Sequence, residues 1–229
     1  FEAQVELAKA GIPVASMSMS IGGMSAPVTV AGMLVNVNTE NLGSIVISQM
    51  AAPGAPHIYC SESTPMNMIT GDMDYDSVDK SFLSIGLKQM AERYSLPALV
   101  ADAGWGESGE IEGGISGVMT PLTQLIGIMG GSDLVTGLGA IDSAKGISFE
   151  QFIVDSYMWD CSKQYMNDVG ISEERIGLKA VEEVGHGHDF LTHPHTIKYL
   201  RGELTVWEAE KLDLLNMDKK EMPAEANRI

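Results

Sequence analysis

Cysteine and positive charge are both scarce in this chain, and each scarcity closes off a class of function. Two cysteines in 229 residues, Cys60 and Cys161, cannot staple a secreted scaffold, and 15 methionines would be an oxidation liability outside the cell. A reducing cytoplasm is the expected compartment. Only 14 Lys and Arg face 31 Asp and Glu, a formal charge of −17. Such a surface repels nucleic-acid phosphates and anionic lipid, so neither is expected as a partner, although it would concentrate a cationic ligand. No uncharged apolar run reaches the roughly 18 residues of a membrane span. Nor is a secretion leader expected, because FEAQVELAKAG places Glu2 and Glu6 where such a leader is basic. Phosphate-loop, complete dinucleotide-fold and G-x-S-x-G motifs are all missing, which removes support for nucleotide binding and for a serine hydrolase elbow.

What is present is a rhythm. PVASMSMS (13–20), PHIYCSES (56–63), PALVADAG (97–104) and SDLVTGLGA (132–140) are short apolar runs bounded by proline or glycine, and they read as buried strands. Between them lie stretches of helical character. One starts near Pro27 and ends before Pro53-Gly54, one is capped by Asp76, and two more cover 121–129 and 149–167. Strands alternating with helices imply parallel pairing, in a doubly wound sheet or a β/α barrel. Four such units are half a barrel, and the chain begins within an amphipathic stretch that runs into the first strand. The expectation is therefore the carboxyl half of a (β/α)8 barrel over residues 1–202, followed by a helical tail over 203–229. A free-standing open sheet of four or five strands is the alternative.

In parallel α/β folds chemistry collects at the carboxyl ends of the strands. Those ends carry Gly22 and Gly23 after the first strand, then Tyr59, Glu62, Asp72, Asp74 and Tyr75 around the second. The third contributes Asp102, Trp105, Glu107, Glu110 and Glu112, and the fourth Asp142 and Lys145. Aromatic faces beside carboxylates suit an alkylammonium ion. Four of the five histidines crowd into GHGHDFLTHPHT, at His186, His188, His193 and His195. Pairs two residues apart share a face only in extended chain, which Pro194 favours for the residue before it, so the spacing permits a metal without demanding one. A metal-dependent barrel hydrolase would draw on Asp102, His186 and His188.

AKAGIPVASMSMSIGGMSAPVTVAG, NTENLGSIVISQMAAPGAPHIY, GDMDY, SLPALVADAG, SFEQFIVDSYMWD and EVGHGHDFLTHPHT together resemble the trimethylamine methyltransferase family, whose members also act on glycine betaine and related quaternary amines. The resemblance implies a β/α barrel that passes a methyl group from an amine to the cobalt of a separate corrinoid protein. No cofactor is then held tightly by the chain, no metal is expected, and the histidine cluster becomes a structural signature. A small methylated amine and the corrinoid protein are the implied partners, and a homo-oligomer is expected. Trimethylamine members carry pyrrolysine in the loop after the third strand. Here residues 104–112 hold none, which points to the quaternary-amine branch. The substrate-binding candidates are Tyr59, Glu62, Asp102, Trp105, Glu107 and His188, with Ser61 as a further donor. Gly22 and Gly23 are the candidates for cofactor approach, and no catalytic residue is assigned. A non-catalytic binder of methylated amines is the reading from a different class.

Overall fold

In the computed structural model, residues 1–75, 77–102, 105–106, 116–141, 146–166 and 170–203 are described; the side chains of 101–102, 105–106, 116–121 and 201–203 are not part of that description. Helix α1 (Glu2–Lys9) leads into β1 (Val14–Ala15) and β2 (Ile21–Gly22), then α2 (Val30–Ala51). Next come β3 (His57–Cys60), β4 (Thr64–Pro65) and α3 (Val78–Arg93), followed by β5 (Ala98–Asp102), β6 (Trp105–Gly106) and α4 (Ser116–Met129). The fourth unit is β7 (Leu134–Thr136), β8 (Ala140–Ile141), β9 (Gly146–Ile147) and α5 (Phe149–Gln164). Three short helices complete the described chain: α6 (Glu173–Ile176), α7 (Leu178–Val184) and α8 (Pro194–Glu203).

The main sheet is parallel, in the order β1-β3-β5-β7. The order never doubles back, and α2, α3, α4 and α5 pack against one another in succession. A right-handed crossover that always steps the same way keeps its helices on one face, which is the winding of a barrel segment and not of a doubly wound sheet. The strands run on beyond their named ends. Val14 pairs with His57, Ser18 with Ser61 and Ile21 with Thr64, so one register joins the first two strands through β2 and β4.

Alternation along the first strand is clean. Val14, Ser18, Ser20 and Gly22 are buried, whereas Ala15, Met17 and Met19 are exposed. The serines point at α2: Ser16 bonds to Ser44, Ser18 and Ser20 bond to Glu40, and the Asn36 amide donates to Ser20 at 2.7 Å. Met17 and Met19 therefore face the opposite, concave side. The core lies between sheet and helices, with Met33 and Val37 of α2, Tyr59, Ala98 and Val100 of the sheet, and Leu83, Leu87 and Ala91 of α3. Burying each large aliphatic side chain there contributes about 1.5–3 kcal/mol before entropy is counted.

Several local expectations shift. The cap of α3 is Ser77, whose side chain accepts from the Lys80 amide, whereas Asp76 lies outside the described residues. Helix α4 begins five residues before Pro121 and carries that proline in its second turn, forgoing one backbone hydrogen bond. The acidic stretch EERIGLKAVEEV, which reads in sequence as one helix, is two helices, split at Gly177, whose φ of 67° is left-handed. Pro194 opens α8, so His193 and His195 do not lie on one extended segment; proline is at ease in a first helical turn. Apart from Glu203, which ends α8, the expected tail lies outside the described residues.

Candidate functional site

Glu62 is the best-defined chemical group at the strand ends, and its neighbours explain why. Ser61 and Ser63 flank it and turn toward the first strand: both hydroxyls donate to the Ser18 carbonyl, at 3.3 and 3.4 Å, and Ser63 Oγ accepts from the Ser20 amide at 2.7 Å. From α3, the buried Lys80 donates its ammonium to the Ser63 carbonyl at 3.0 Å. Behind them the Asn41 amide clasps Cys60, accepting from its N–H and donating to its carbonyl, each at 3.0 Å. Neighbouring residues of a strand point to opposite faces. With Tyr59, Ser61 and Ser63 committed to the helix side, Glu62 projects onto the concave side.

There it meets Thr136, whose hydroxyl donates to the Glu62 carboxylate at 2.9 Å. The two belong to next-nearest strands, so the bond crosses over β5. An irregularity in the pairing between Leu99 and Ala101 sets Asp102 opposite Thr136; bulges of this kind re-aim side chains beside functional sites. Only 7% of Glu62 is exposed, so this carboxylate is largely withdrawn from solvent.

The remaining candidates divide. Tyr59 is fully buried in the sheet–helix core, stacked on Tyr94, with its hydroxyl donating to Asn38 of α2. Burial pushes its phenol pKa well up, and it does not line the concave face. Ser61 is likewise turned away. Gly22 faces α2, where a Cβ would sit 2.5 Å from the Met33 sulfur, and the Gly23 amide donates to the Ala26 carbonyl at 2.9 Å. Close helix packing and a tight turn account for both glycines. Trp105 lies on β6, paired with Ala140, and Asp102 ends β5. Their side chains, together with Glu107, Glu110, Glu112, Asp142 and Lys145, fall outside the described set. Asp72 is exposed on the loop after β4. Thr136, Lys80 and Ser63 went unnoticed in the sequence; the one signal for Thr136 is its place within the fourth apolar run, just before a glycine.

The histidine stretch does different work. His193 Nε2 bonds to Glu183 at 3.1 Å while its Nδ1 accepts from the His195 amide at 3.2 Å, and His195 Nε2 donates to the Glu174 carbonyl at 2.9 Å. These bonds, with the Glu174–Lys198 ion pair, strap α6, α7 and α8 together. They hold Glu183 and Glu174 below the usual carboxylate range, chiefly through the bonds from His193 and Lys198 respectively. Both nitrogens of His193 are thereby occupied. His186 and His188 are exposed on the turn after α7, and no hydrogen bond ties either to the strand ends among the described residues. Among those residues no group of three or more His, Cys, Asp and Glu is arranged to hold a metal, and no helix is long and apolar enough to cross a membrane.

Residues 1–221 match the family model described as trimethylamine methyltransferase. The chain is 30% identical to the trimethylamine methyltransferase of Desulfitobacterium hafniense over 87% of its own length and 40% of the relative's. To the trimethylamine methyltransferase of Methanosarcina thermophila it is 31% identical, over 82% of the chain and 39% of the relative. A glycine betaine methyltransferase of D. hafniense is 27% identical over 90% of the chain and 45% of the relative. The chain thus spans about 40% of the length of the curated relatives it matches.

Proposed function

The chain belongs to the trimethylamine methyltransferase family, and from that premise we propose that it forms the carboxyl-terminal part of a (β/α)8 barrel that removes a methyl group from a methylated amine. The acceptor is the cobalt of a corrinoid carried by a separate protein, which supplies the nucleophile. The family match carries the reaction class. The one-way strand order, the single helix layer and an apolar concave face left uncovered among the described residues support the barrel.

What the residues of this chain do is bind and orient. Transfer needs the methyl carbon presented in line, with the departing nitrogen behind it. A quaternary ammonium leaves as a neutral tertiary amine, keeping the electron pair of the broken C–N bond, so no general acid is needed. Positive charge on nitrogen is lost in the transition state, and a carboxylate in direct contact would stabilise the ground state more. A carboxylate fixed on the barrel wall, as Glu62 is, attracts the cation without that penalty when aromatic surface lies between them. Trp105 is proposed for that surface. Tyr59 is withdrawn from it, and neither Gly22 nor Gly23 is assigned to the corrinoid. The absence of pyrrolysine from 104–112 supports a quaternary amine such as glycine betaine.

The test is cob(I)alamin methylation followed by absorbance, with glycine betaine, other betaines and trimethylamine as donors to the natural polypeptide that carries this chain. A betaine is expected to be the best donor. Trimethylamine as the best donor would overturn the substrate assignment, and no methylation with any donor would overturn the activity.

A further inference from the structure

We infer that the outward face of α2 is a docking surface for a second copy of this polypeptide, the two helices crossing at Leu42 and Gly43 about a two-fold axis. The inference goes beyond the methyl transfer proposed above and does not rest on it.

Helix α2 carries one charged residue in 22, Glu40, whose carboxylate is turned back to Ser18 and Ser20 of the first strand. Its buried side chains, Met33, Val37, Ser44 and Ser48 among them, face the sheet and α1, and α3 closes one flank where Leu34 meets Gly86. On the side opposite the sheet lie Val35, Thr39, Leu42, Gly43, Val46 and Met50, all exposed and all uncharged. Val35 and Val46 are 68% and 54% exposed. A helix that is apolar all round belongs in a buried setting. Closing the barrel adds units at the β1 and β7 margins, beside this helix and not over its outer face.

Two details fit a close neighbour. Glycine is the poorest helix former after proline, and a Cβ at Gly43 would meet nothing within 4 Å in this chain, so no contact of its own explains the glycine there. The Thr39 hydroxyl donates to the Val35 carbonyl at 2.8 Å, which leaves a methyl group and no unmet donor facing outward.

The occupant follows from charge and symmetry. At a formal charge of −17, two copies repel wherever acidic surfaces meet, so contact between them needs an acid-free face. A basic partner would be met by acids, such as the exposed Asp79 and Glu92 of α3. The stripe is also self-complementary. Its two i±4 rows, 35-39-43 and 42-46-50, exchange about a two-fold axis between residues 42 and 43. Leu42 of each copy then fills the gap left by Gly43 of the other, and Thr39 lies against Val46. Rows of this kind packed together cross at about −50°, so Val35 and Met50, at the two ends, diverge and stay open to water.

The experiment is sedimentation velocity of the natural polypeptide that carries this chain, as parent, Val46→Glu and Gln164→Glu, with disulfide capture under mild oxidant for Leu42→Cys and Val35→Cys. The parent should sediment as two copies or an even multiple. Val46→Glu sets a carboxylate against the partner copy and should halve that mass while keeping the parent's circular dichroism spectrum. Gln164→Glu adds the same charge at an exposed position of α5 and should leave the mass unchanged. Leu42→Cys should be captured as a covalent dimer, whereas Val35→Cys, though more exposed, should not. A parent that sediments as an odd number of copies, a folded Val46→Glu of parent mass, or capture of Val35→Cys as readily as Leu42→Cys would each overturn the inference. Should Val46→Glu fail to fold, the uncharged cysteine variants decide alone. Loss of Leu42→Cys capture when the corrinoid protein is added would assign the face to that partner and overturn it as well.

Discussion

His57 is a buried side chain whose two ring nitrogens have no hydrogen-bond partner among the described residues, and burial lowers its pKa. The unfolded chain takes up a proton as pH falls through about 6.5, while the folded one resists until a lower pH. His57 therefore subtracts stability as pH drops below that value. Asp155 acts oppositely. Burial lifts its carboxyl to about 6 despite bonds from the Gly139 amide and Gln151, so the folded state keeps a proton that the unfolded state has lost, and stability is gained as pH falls from there toward 4. Comparing the parent with His57→Phe cancels the Asp155 contribution. Melting temperatures at pH 7.5 and 5.5 should fall more in the parent, and parallel curves would show that His57 carries no such penalty. At the strand ends, Trp105→Ala should weaken binding of a quaternary amine by about 1–2 kcal/mol, the scale of a desolvated cation–π contact. Calorimetry that gave the parent affinity would remove Trp105 from the site.

At the scale of elements, the closest joint is between β2 and α2. Gly22→Ala pushes a methyl group toward Met33, which is fully buried, and should cost about 1–3 kcal/mol by denaturant melting, as overpacking does. Amine binding should survive. A variant of parent stability with impaired binding would instead return Gly22 to a ligand-contacting role. The strands were legible because proline and glycine bracket each apolar run, and the place of Glu62 at a strand end was legible because it stands next to last in one of them. Tyr59 was misplaced for a physical reason: in HIYC, three of the four residues are buried, so the run shows no contrast between faces and nothing to say which way the ring points. Thr136 was illegible as a partner of Glu62 because the bond depends on a curved sheet bringing next-nearest strands together. Pro194 misled through a rule that holds for the residue before a proline and says nothing against the proline starting a helix.

Taken as a whole, the described molecule has two unpaired sheet margins, along β1 and β7, and a concave face carrying exposed Ala15, Met17 and Met19. Open margins and uncovered apolar surface favour association, so the 229-residue chain produced alone should self-associate in light scattering, and a cooperative monomer would count against the half-barrel. The methionines on that face carry a further consequence, because peroxide converts an accessible thioether to a sulfoxide that mass spectrometry weighs residue by residue. Met17 and Met19 are 43% and 45% exposed on the inner wall, whereas Met24 and Met50 are exposed elsewhere at 70% and 81%. In the natural polypeptide the first two should be shielded and the last two still oxidised, whereas in the isolated chain all four should react. Under the proposed barrel, the inner wall would thus carry its own chemical footprint of closure, readable without any substrate.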